Sequence, residues 1–165
     1  SRHWGIENRQ NTPRQEMVDL TDAAESAAMR AARSTGRQVT RDLTPGLVAP
    51  RLDPVLLDQV LANLLDNGLK FSAPEGQVTL RTRRDGADVA LVVEDDGPGI
   101  PRTDLHRVFD PVFRATRTDR VAAGSGLGLA ISRGLVRAMG GRIVAESPIS
   151  PDGRGTRMTI QFPAL

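Results

Sequence analysis

The chain of 165 residues contains no cysteine and no tyrosine, and it has only two histidines, His3 and His106. The absence of cysteine excludes disulfide bonds, thiolate catalysis and cysteine-ligated metals. Two histidines are too few for a multi-histidine metal site. Any metal bound by this chain should therefore be a hard cation with oxygen ligands.

Lysine is almost absent as well, because all but one of the 22 basic residues are arginine, against 20 acidic residues. The net charge is only +2, yet the sequence pI is about 10.2. The pI is high because almost no group titrates between neutrality and the pKa of arginine. The electrostatic field of the protein is therefore weak, and we expect no nucleic-acid partner.

Long apolar runs are missing too, since none approaches the roughly 20 residues that cross a bilayer. The first residues do not have the pattern of a signal peptide. A composition of 39% hydrophobic and 25% charged residues is typical of a globular protein, and the length suits one domain. We expect one soluble domain without direct membrane contact, of a size compatible with excision from a larger protein.

The order of the predicted elements indicates an α+β fold. Residues 1–16 are polar and without periodicity, which predicts a tail or linker remnant, and residues 17–165 are expected to form the domain. Helices are predicted at 20–35, 54–71, 103–109 and 127–139, and strands at 38–44, 77–84, 87–95, 142–147 and 156–162. This order predicts an open, mixed and mostly antiparallel sheet with its helices on one face.

Local signals mark both ends of the first predicted helix. Asp22 and Glu25 have the spacing of a capping box at its start. Gly36 is placed to end it, since glycine readily adopts the left-handed conformation that closes many helices.

The second predicted helix carries a narrow polar stripe. On a helical wheel, Gln59, Asp66, Asn67 and Lys70 lie within about 60° of Asn63, while the opposite face is apolar. A solvated surface is the simpler interpretation of such a stripe. However, two asparagines at i and i+4 are poor helix formers, and the only lysine follows them. We interpret the stripe as functional, because an asparagine carbonyl is a ligand for Mg²⁺ and a lysine supplies charge for phosphate oxygens.

The segment VVEDDGPGIP leaves an apolar strand at Asp95 and continues through Gly97 and Gly99. Considered alone, it is best interpreted as a Gly-Pro turn. Alternatively, a carboxylate at the end of a strand accepts a hydrogen bond from the exocyclic amine of a base, and the glycines admit the ring closely.

The segment GSGLGL begins at Gly124 and leads into a predicted helix. A glycine-rich entry to a helix offers free backbone N–H groups and the positive end of a dipole to phosphate. The segment is not a dinucleotide fingerprint, because Leu129 stands where that motif needs glycine, and the chain has no P-loop motif.

Weaker signals flank the long predicted loop at 111–126. Phe109 and Phe113 are spaced as core residues, or as anchors at the hinge of a mobile loop. Arg114 is one of three arginines in this loop, and an arginine there could reach a terminal phosphate. Thr156 follows a glycine-rich segment that is best interpreted as a hairpin turn.

The segments NLLDNGLKF, EDDGPGIP, VFDPVFR, GSGLGLAIS and GRGT occur in this order. They resemble the N, G1, F, G2 and G3 boxes of the catalytic ATP-binding domain of sensor histidine kinases, which belong to the GHKL ATPase superfamily. The resemblance covers about residues 17–163, and five boxes in order are far more specific than any one glycine motif. The run from residue 108 to residue 141 is most similar to potassium-sensing kinases of the KdpD type.

This resemblance implies a two-layer α/β sandwich that binds ATP and Mg²⁺. Asn67 would be the metal ligand, Asn63 and Lys70 would assist with metal and phosphates, and Asp95 would recognise the adenine amine. Arg114 is the further residue expected to assist catalysis. The other expected nucleotide-binding residues are Gly97, Gly99, Ile100, Phe109, Gly124, Gly126, Leu127, Gly128 and Thr156.

The resemblance also implies a lid over ATP at about residues 110–125. Two positions depart from the family pattern. Gly68 stands where alanine is commoner, and Phe71 stands where tyrosine often occurs. Neither should abolish binding, but glycine is expected to loosen the helix.

In this family the phosphoacceptor is a histidine followed by an acidic residue on a separate dimerisation helix. Here His3 precedes Trp4 and His106 precedes Arg107, so neither histidine fits. The resemblance therefore implies a catalytic domain that transfers the γ-phosphoryl group of Mg-ATP to a histidine on a dimerisation domain outside this chain.

The further partner implied by the resemblance is the receiver domain of a response regulator. The full-length protein is expected to be a homodimer anchored in the inner membrane, with this domain in the cytoplasm. Two alternatives remain open: a degenerate ATP-binding regulatory module, and a GHKL-type serine kinase or anti-sigma protein. The filled boxes disfavour the first, while the phenylalanine pair and the long arginine-bearing lid disfavour the second.

Overall fold

The computed structural model describes residues 14–111 and 127–165. In chain order its elements are β1 (Glu16–Asp19), α1 (Leu20–Thr35), β2 (Thr40–Leu43), β3 (Val48–Leu52), α2 (Pro54–Phe71), β4 (Val78–Asp85), β5 (Asp88–Asp95), α3 (Arg102–Leu105), α4 (Leu127–Ala138), β6 (Arg142–Glu146) and β7 (Thr156–Pro163). Within the described ranges, no helix combines the length and apolar character needed to cross a membrane.

The main sheet has five strands in the order β2-β4-β5-β7-β6. Only β2 and β4 are parallel, and the other three pairs are antiparallel, which confirms the predicted mixed and mostly antiparallel sheet. The β4–β5 hairpin closes with Asp85 opposite Asp88, as the Asp-Gly turn signal predicts.

One face of this sheet packs against the helices. The backbone of Gly68 in α2 lies over Val78 of β4 and Val93 of β5. Because side chains alternate along a strand, the residues two positions away, such as Leu80 and Leu91, point to the same side and are fully buried there. The core therefore lies between the sheet and the helices, as expected for a two-layer fold.

The other face of the sheet carries a ladder of alternating charges that crosses all five strands. In order, the pairs are Asp42–Arg81 at 2.6 Å, Arg81–Glu94 at 2.7 Å, Glu94–Arg157 at 2.9 Å and Arg157–Glu146 at 3.5 Å. Burial alone would raise the pKa of Glu94, but the hydrogen bonds from Arg81 and Arg157 outweigh it and hold this pKa below its ordinary value. Glu94 therefore stays ionised as the central member of the ladder.

A small second sheet was not predicted from the sequence. It consists of β1 and β3, paired antiparallel, with Val18 opposite Ala49. Both strands are short, and β3 contains Pro50, which lacks a donor for a strand ladder and argues against a strand. This sheet forms because tertiary packing of Val18 and Ala49 in the core overrides the weak local signal.

The predicted capping box at the start of α1 was wrong. The cap is Asp19, whose carboxylate accepts hydrogen bonds from the backbone N–H groups of Thr21 at 2.9 Å and Asp22 at 3.0 Å. Asp22 already lies in the first helical turn, where its backbone conformation cannot serve as a cap. Gly36 ends the helix as predicted, with φ +74° and its N–H bonded to the carbonyl of Ala32.

The remaining boundaries agree closely with the predictions. The long helix α2 begins at Pro54 and ends at Phe71 as predicted, and Asp53 caps it by accepting from the N–H groups of Val55 and Leu56. The short predicted helix at 103–109 is shorter still, because α3 ends at Leu105 and turns follow it. Most of the predicted loop at 111–126 lies outside the described residues.

Candidate functional site

The polar stripe of α2 contacts α4 at Asn63. Asn63 Nδ2 donates a weak hydrogen bond of 3.4 Å to Ser132 Oγ of α4. Asn67, one turn further on, is partly exposed. Lys70 Nζ forms an exposed ion pair of 2.9 Å with Asp66. The stripe thus offers amide and ammonium groups on one side of α2, and Asn63 also contributes to the packing of α2 against α4.

The turn that follows β5 packs directly on the end of this helix. Gly97 is required by space, because a Cβ there would lie 2.7 Å from the carbonyl oxygen of Phe71 and 3.0 Å from a carboxylate oxygen of Asp95. The Asp95 carboxylate accepts a hydrogen bond of 2.9 Å from the N–H of Gly97. The structure therefore brings the end of the amide stripe and the carboxylate at the strand end into one region.

Gly99 is required by both conformation and space. Its φ is +81°, in the left-handed region, and a Cβ would lie 3.1 Å from Ser147 Oγ and 3.2 Å from the carbonyl oxygen of Gly153. The two glycines of the turn therefore allow the backbone to pass between the end of α2 and the loop before β7.

Ser147 joins this turn to the loop before β7, and sequence reasoning missed it. Its buried hydroxyl accepts from the N–H of Ile100 at 2.6 Å and from Thr156 Oγ1 at 3.3 Å, and it donates to the carbonyl of Gly155 at 2.7 Å. The N–H of Gly155 also donates to the carbonyl of Gly97 at 2.8 Å. Three expected site residues, Gly97, Ile100 and Thr156, are thereby held in one hydrogen-bonded unit.

Asp96 ties the turn to the loop after α2, a role that the sequence did not distinguish from that of Asp95. Its carboxylate accepts from the N–H of Gln77 at 2.9 Å. Gly76 packs so closely on the carboxylate that a Cβ there would lie 2.4 Å from Asp96 Oδ1. The adjacent aspartates therefore face different surroundings, and only Asp95 lies at the end of the strand beside the glycine turn.

Phe109 is a core residue in contact with α4. Its side chain is buried with Ile100 and Val108. The guanidinium carbon of Arg133 lies 5.4 Å from the centroid of its ring, within the range of a cation–π interaction. Phe113, the second member of the predicted hinge pair, lies outside the described residues.

The helix expected to follow the glycine-rich GSGLGL segment begins at Leu127, with Gly128 in its first turn. The first turn of a helix presents backbone N–H groups that lack intrahelical acceptors. Arg114, Gly124 and Gly126 lie outside the described residues, as does most of the expected lid.

The described part of the site offers few side-chain ligands for a divalent cation. Among residues 14–111 and 127–165, no group of three or more His, Cys, Asp or Glu side chains is placed to hold a metal. Asn67 supplies one neutral oxygen donor. Such a donor suits Mg²⁺, which usually takes few protein ligands and completes its shell with water and phosphate oxygens.

Comparison with known proteins places this geometry among kinase domains. Residues 52–165 match the family described as histidine kinase-, DNA gyrase B-, and HSP90-like ATPase. The alginate biosynthesis sensor protein KinB of Pseudomonas aeruginosa is 35% identical over 148 residues, which are 88% of this chain and 24% of that protein. The sensor histidine kinase Hik2 of Thermosynechococcus vestitus is 36% identical over 138 residues, which are 84% of this chain and 36% of that protein. The matched region thus spans 24% and 36% of the lengths of these two relatives.

Solved structures give the same result. A mycobacterial sensor histidine kinase, MprB, superposes with a TM-score of 0.77 at 32% identity, covering 91% of this chain and 97% of that one. The full-length kinase ShkA in complex with AMPPNP superposes with a TM-score of 0.73 at 28% identity, covering 91% of this chain and 31% of that one. These relatives support the histidine kinase resemblance, but they do not support the narrower KdpD type.

Proposed function

We propose a function from the premise that this chain belongs to the family of histidine kinase-, DNA gyrase B- and HSP90-like ATPases and is a catalytic ATP-binding domain of the sensor histidine kinase type. In this proposal the domain transfers the γ-phosphoryl group of Mg-ATP to a histidine on a separate dimerisation domain. We take residues 17–165 as the catalytic domain and about 110–125 as its lid. The contact between the end of α2 and the turn after β5 carries the proposal, because it joins a phosphate-binding stripe to a base-binding turn.

The base end of the site is built around Asp95. Its carboxylate is fixed by the N–H of Gly97 and lies where β5 ends, so that it can accept a hydrogen bond from the exocyclic amine of adenine. Gly97 and Gly99 have no side chains, so the backbone next to Asp95 leaves room for the base. Ile100, Phe109 and Thr156 would complete this end of the site.

The phosphate end is built from α2 and the start of α4. Asn67 would ligand Mg²⁺ through its amide oxygen, and Asn63 would assist beside it. Lys70 is exposed, and its ion pair with Asp66 is of a kind worth only about 0–1 kcal/mol, so phosphate oxygens can compete for the ammonium group. At the start of α4, Leu127 and Gly128 would offer helical N–H groups to phosphate. Gly124, Gly126 and Arg114 would also contribute to phosphate binding.

Catalysis by this domain would come from positioning and charge neutralisation. Phosphoryl transfer requires the γ-phosphate to be held in line with its acceptor, and bound Mg²⁺ neutralises phosphate charge. The chain's own contributions are the base contact of Asp95, which orients the nucleotide, and the donors of α2 and α4, which hold the phosphates. His106 is exposed on a turn and is followed by Arg107, so it does not fit an acceptor that needs an acidic neighbour.

The partners follow from the same proposal. The acceptor histidine would lie on the protein's own dimerisation domain, and the phosphoryl group would pass on to the receiver domain of a response regulator. The full-length protein would then be a homodimer, anchored in the inner membrane with this domain in the cytoplasm. The matched region is only 24% and 36% of these two relatives, whose remaining length leaves room for such domains.

Phosphotransfer can be tested by mixing this domain with γ-labelled ATP and the purified dimerisation domain of the full-length kinase. We expect an acid-labile, base-stable label on one histidine of the dimerisation domain. Acid-stable label on serine would instead identify a serine kinase. Nucleotide binding without any transfer by a correctly folded pair would identify a degenerate regulatory module.

A further inference from the structure

Arg37 clamps the end of the helix that carries the amide stripe. Its guanidinium donates hydrogen bonds to the carbonyl of Leu69 at 2.5 Å, the hydroxyl of Ser72 at 3.0 Å, the carbonyl of Ala73 at 2.8 Å and the carbonyl of Gly76 at 3.2 Å. One side chain therefore holds both the last turn of α2 and the loop that follows it. These acceptors are spaced over eight residues of chain, from Leu69 to Gly76.

The end of α2 needs such a donor. The last carbonyls of a helix lack intrahelical partners, and many helices satisfy them through a glycine in the left-handed conformation. The residue after α2 is Ser72, with φ −74° and ψ 155°. Its N–H donates to the carbonyl of Gly68, and its hydroxyl makes only a long hydrogen bond of 3.4 Å to the carbonyl of Leu69. Arg37 caps this end from outside the helix, and its positive charge is also favourable at the negative end of the helix dipole.

Arg37 lies beside the end of α2 because the chain turns at Gly36, directly before it. With φ +74°, Gly36 reverses the chain directly after α1. A Cβ there would meet no heavy atom within 4 Å, so the backbone conformation rather than crowding requires glycine at this position. The next residue emerges beside the end of α2.

In the described part of the chain, two other arginines join α1 to neighbouring elements, and each forms an ion pair with a carboxylate. Arg30 pairs with Asp58 of α2 at 2.8 Å, and Arg41 pairs with Glu25 of α1 at 3.0 Å. The acceptors given above for Arg37 are instead backbone carbonyls and one hydroxyl. A flat guanidinium with five donors suits a spread of carbonyl acceptors, whereas a lysine ammonium is a point charge that cannot span them.

The clamp is contiguous with the proposed nucleotide site. Phe71, in the clamped turn, has its carbonyl against Gly97, and the clamped loop leads to Gln77, whose N–H binds Asp96. Asn67 lies one turn before the clamped end. We propose that Arg37 is a positioning residue for nucleotide binding, which holds the amide stripe of α2 in register with the turn that follows Asp95. This inference rests on the proposed function.

The inference is tested by titrating ADP with Mg²⁺ into wild type, Arg37→Ala, Arg37→Lys and the control Arg30→Ala. Arg30 also joins α1 to α2, but it does so through an exposed ion pair with Asp58, near the start of α2 and away from the end that Arg37 holds. We expect the dissociation constant of Arg37→Ala for Mg-ADP to rise about tenfold, because this variant loses several charge-assisted hydrogen bonds at the end of α2. Arg37→Lys should fall between this variant and wild type, and Arg30→Ala should change by less than about twofold.

One condition and one further readout separate positioning from general stability. All titrations are made well below each variant's unfolding temperature, and the NMR signal of the Asn67 side-chain amide is compared in the nucleotide-free proteins. We expect this signal to shift in Arg37→Ala and to return towards its wild-type position in Arg37→Lys. An unchanged signal and an unchanged dissociation constant in folded Arg37→Ala would overturn the inference.

The outcomes also separate this inference from the proposed function. If wild type itself fails to bind Mg-ADP, the proposed function fails. If wild type binds and Arg37→Ala binds equally well, only the role of Arg37 is lost. If Arg37→Ala does not fold, the test rests on Arg37→Lys. A folded Arg37→Lys that binds Mg-ADP as tightly as wild type, with an unshifted Asn67 signal, would overturn the inference.

Discussion

The backbone carbonyl of Phe71 lies so close to Gly97 that a Cβ at residue 97 would stand 2.7 Å from its oxygen. This contact joins the last turn of α2 to the turn that follows β5. The two segments are 26 positions apart in the sequence, yet they form adjacent walls of the proposed nucleotide site. In the proposed site, the base and phosphate ends would meet at this close approach of two backbone segments.

Gly97→Ala should separate these walls. The new methyl group would meet backbone oxygen, which cannot move aside cheaply, so we expect a loss of about 1–3 kcal/mol in the free energy of unfolding. Mg-ADP affinity should fall at least about tenfold. Gly134→Ala is the control for affinity, because a Cβ there meets nothing within 4 Å. Urea unfolding and calorimetry measure both effects, and an unchanged affinity in Gly97→Ala would contradict the proposed wall contact.

Gly68→Ala should stabilise the domain. A Cβ at this helical position would lie 3.4 Å from Val78 and 3.7 Å from Val93 at their nearest atoms, which is ordinary van der Waals contact. Replacing a helical glycine by alanine should therefore add about 1 kcal/mol to the free energy of unfolding. The midpoint of urea unfolding measures this change. A lower midpoint would mean that the helix cannot accept the methyl group against the sheet.

Ser147→Ala should weaken the unit that holds the two glycine-rich segments together. The substitution leaves the N–H of Ile100 and the carbonyl of Gly155 without their partner, which should cost about 1–3 kcal/mol because these groups are buried. Ser26→Ala, at an exposed position of α1, should change stability by less than about 0.5 kcal/mol. Equal unfolding free energies for the two variants would contradict the bridging role of Ser147.

The charge ladder should make stability depend on pH. The pKa of Glu94 is lowered in the folded state, so the unfolded state binds its proton more tightly and stability is lost as pH falls. This contribution is fully present above the ordinary value of 4.5 and disappears as pH falls through the lower folded-state pKa. Unfolding free energies of wild type and Glu94→Gln should therefore converge on acidification.

Glu75→Gln, which changes an exposed carboxylate outside the ladder, serves as the matched control for that pH series. Its stability difference from wild type should remain small across the same range. A constant difference between wild type and Glu94→Gln from neutral to acid pH would show that Glu94 titrates alike in the folded and unfolded states.

Much of the fold could be predicted because its signals are local. The apolar and polar faces of α2, the Asp-Gly turn of the β4–β5 hairpin and the glycine that ends α1 each act within a few residues. The small β1–β3 sheet could not be predicted in this way. Its strands are four and five residues long, and they pair across the whole of α1.

The site was only partly predictable for a related reason. Asp95, Gly97 and Gly99 stand in a compact motif, so their types and spacing point to a binding turn. Ser147 and Arg37 act through contacts with distant backbone, and a serine in a loop or one arginine among many has no local pattern that distinguishes it. Such residues can be found only once the chain is folded.

Titration of the domain with ADP, in the presence and absence of Mg²⁺, tests the central claim most directly. Wild type is compared with Asp95→Asn, Asn67→Ala and the control Asp88→Asn at the opposite end of β5. We expect binding to be lost in Asp95→Asn, to weaken without metal or in Asn67→Ala, and to be unchanged in Asp88→Asn. A folded wild-type domain that does not bind ADP, or an Asp95→Asn variant that binds as wild type does, would contradict the account.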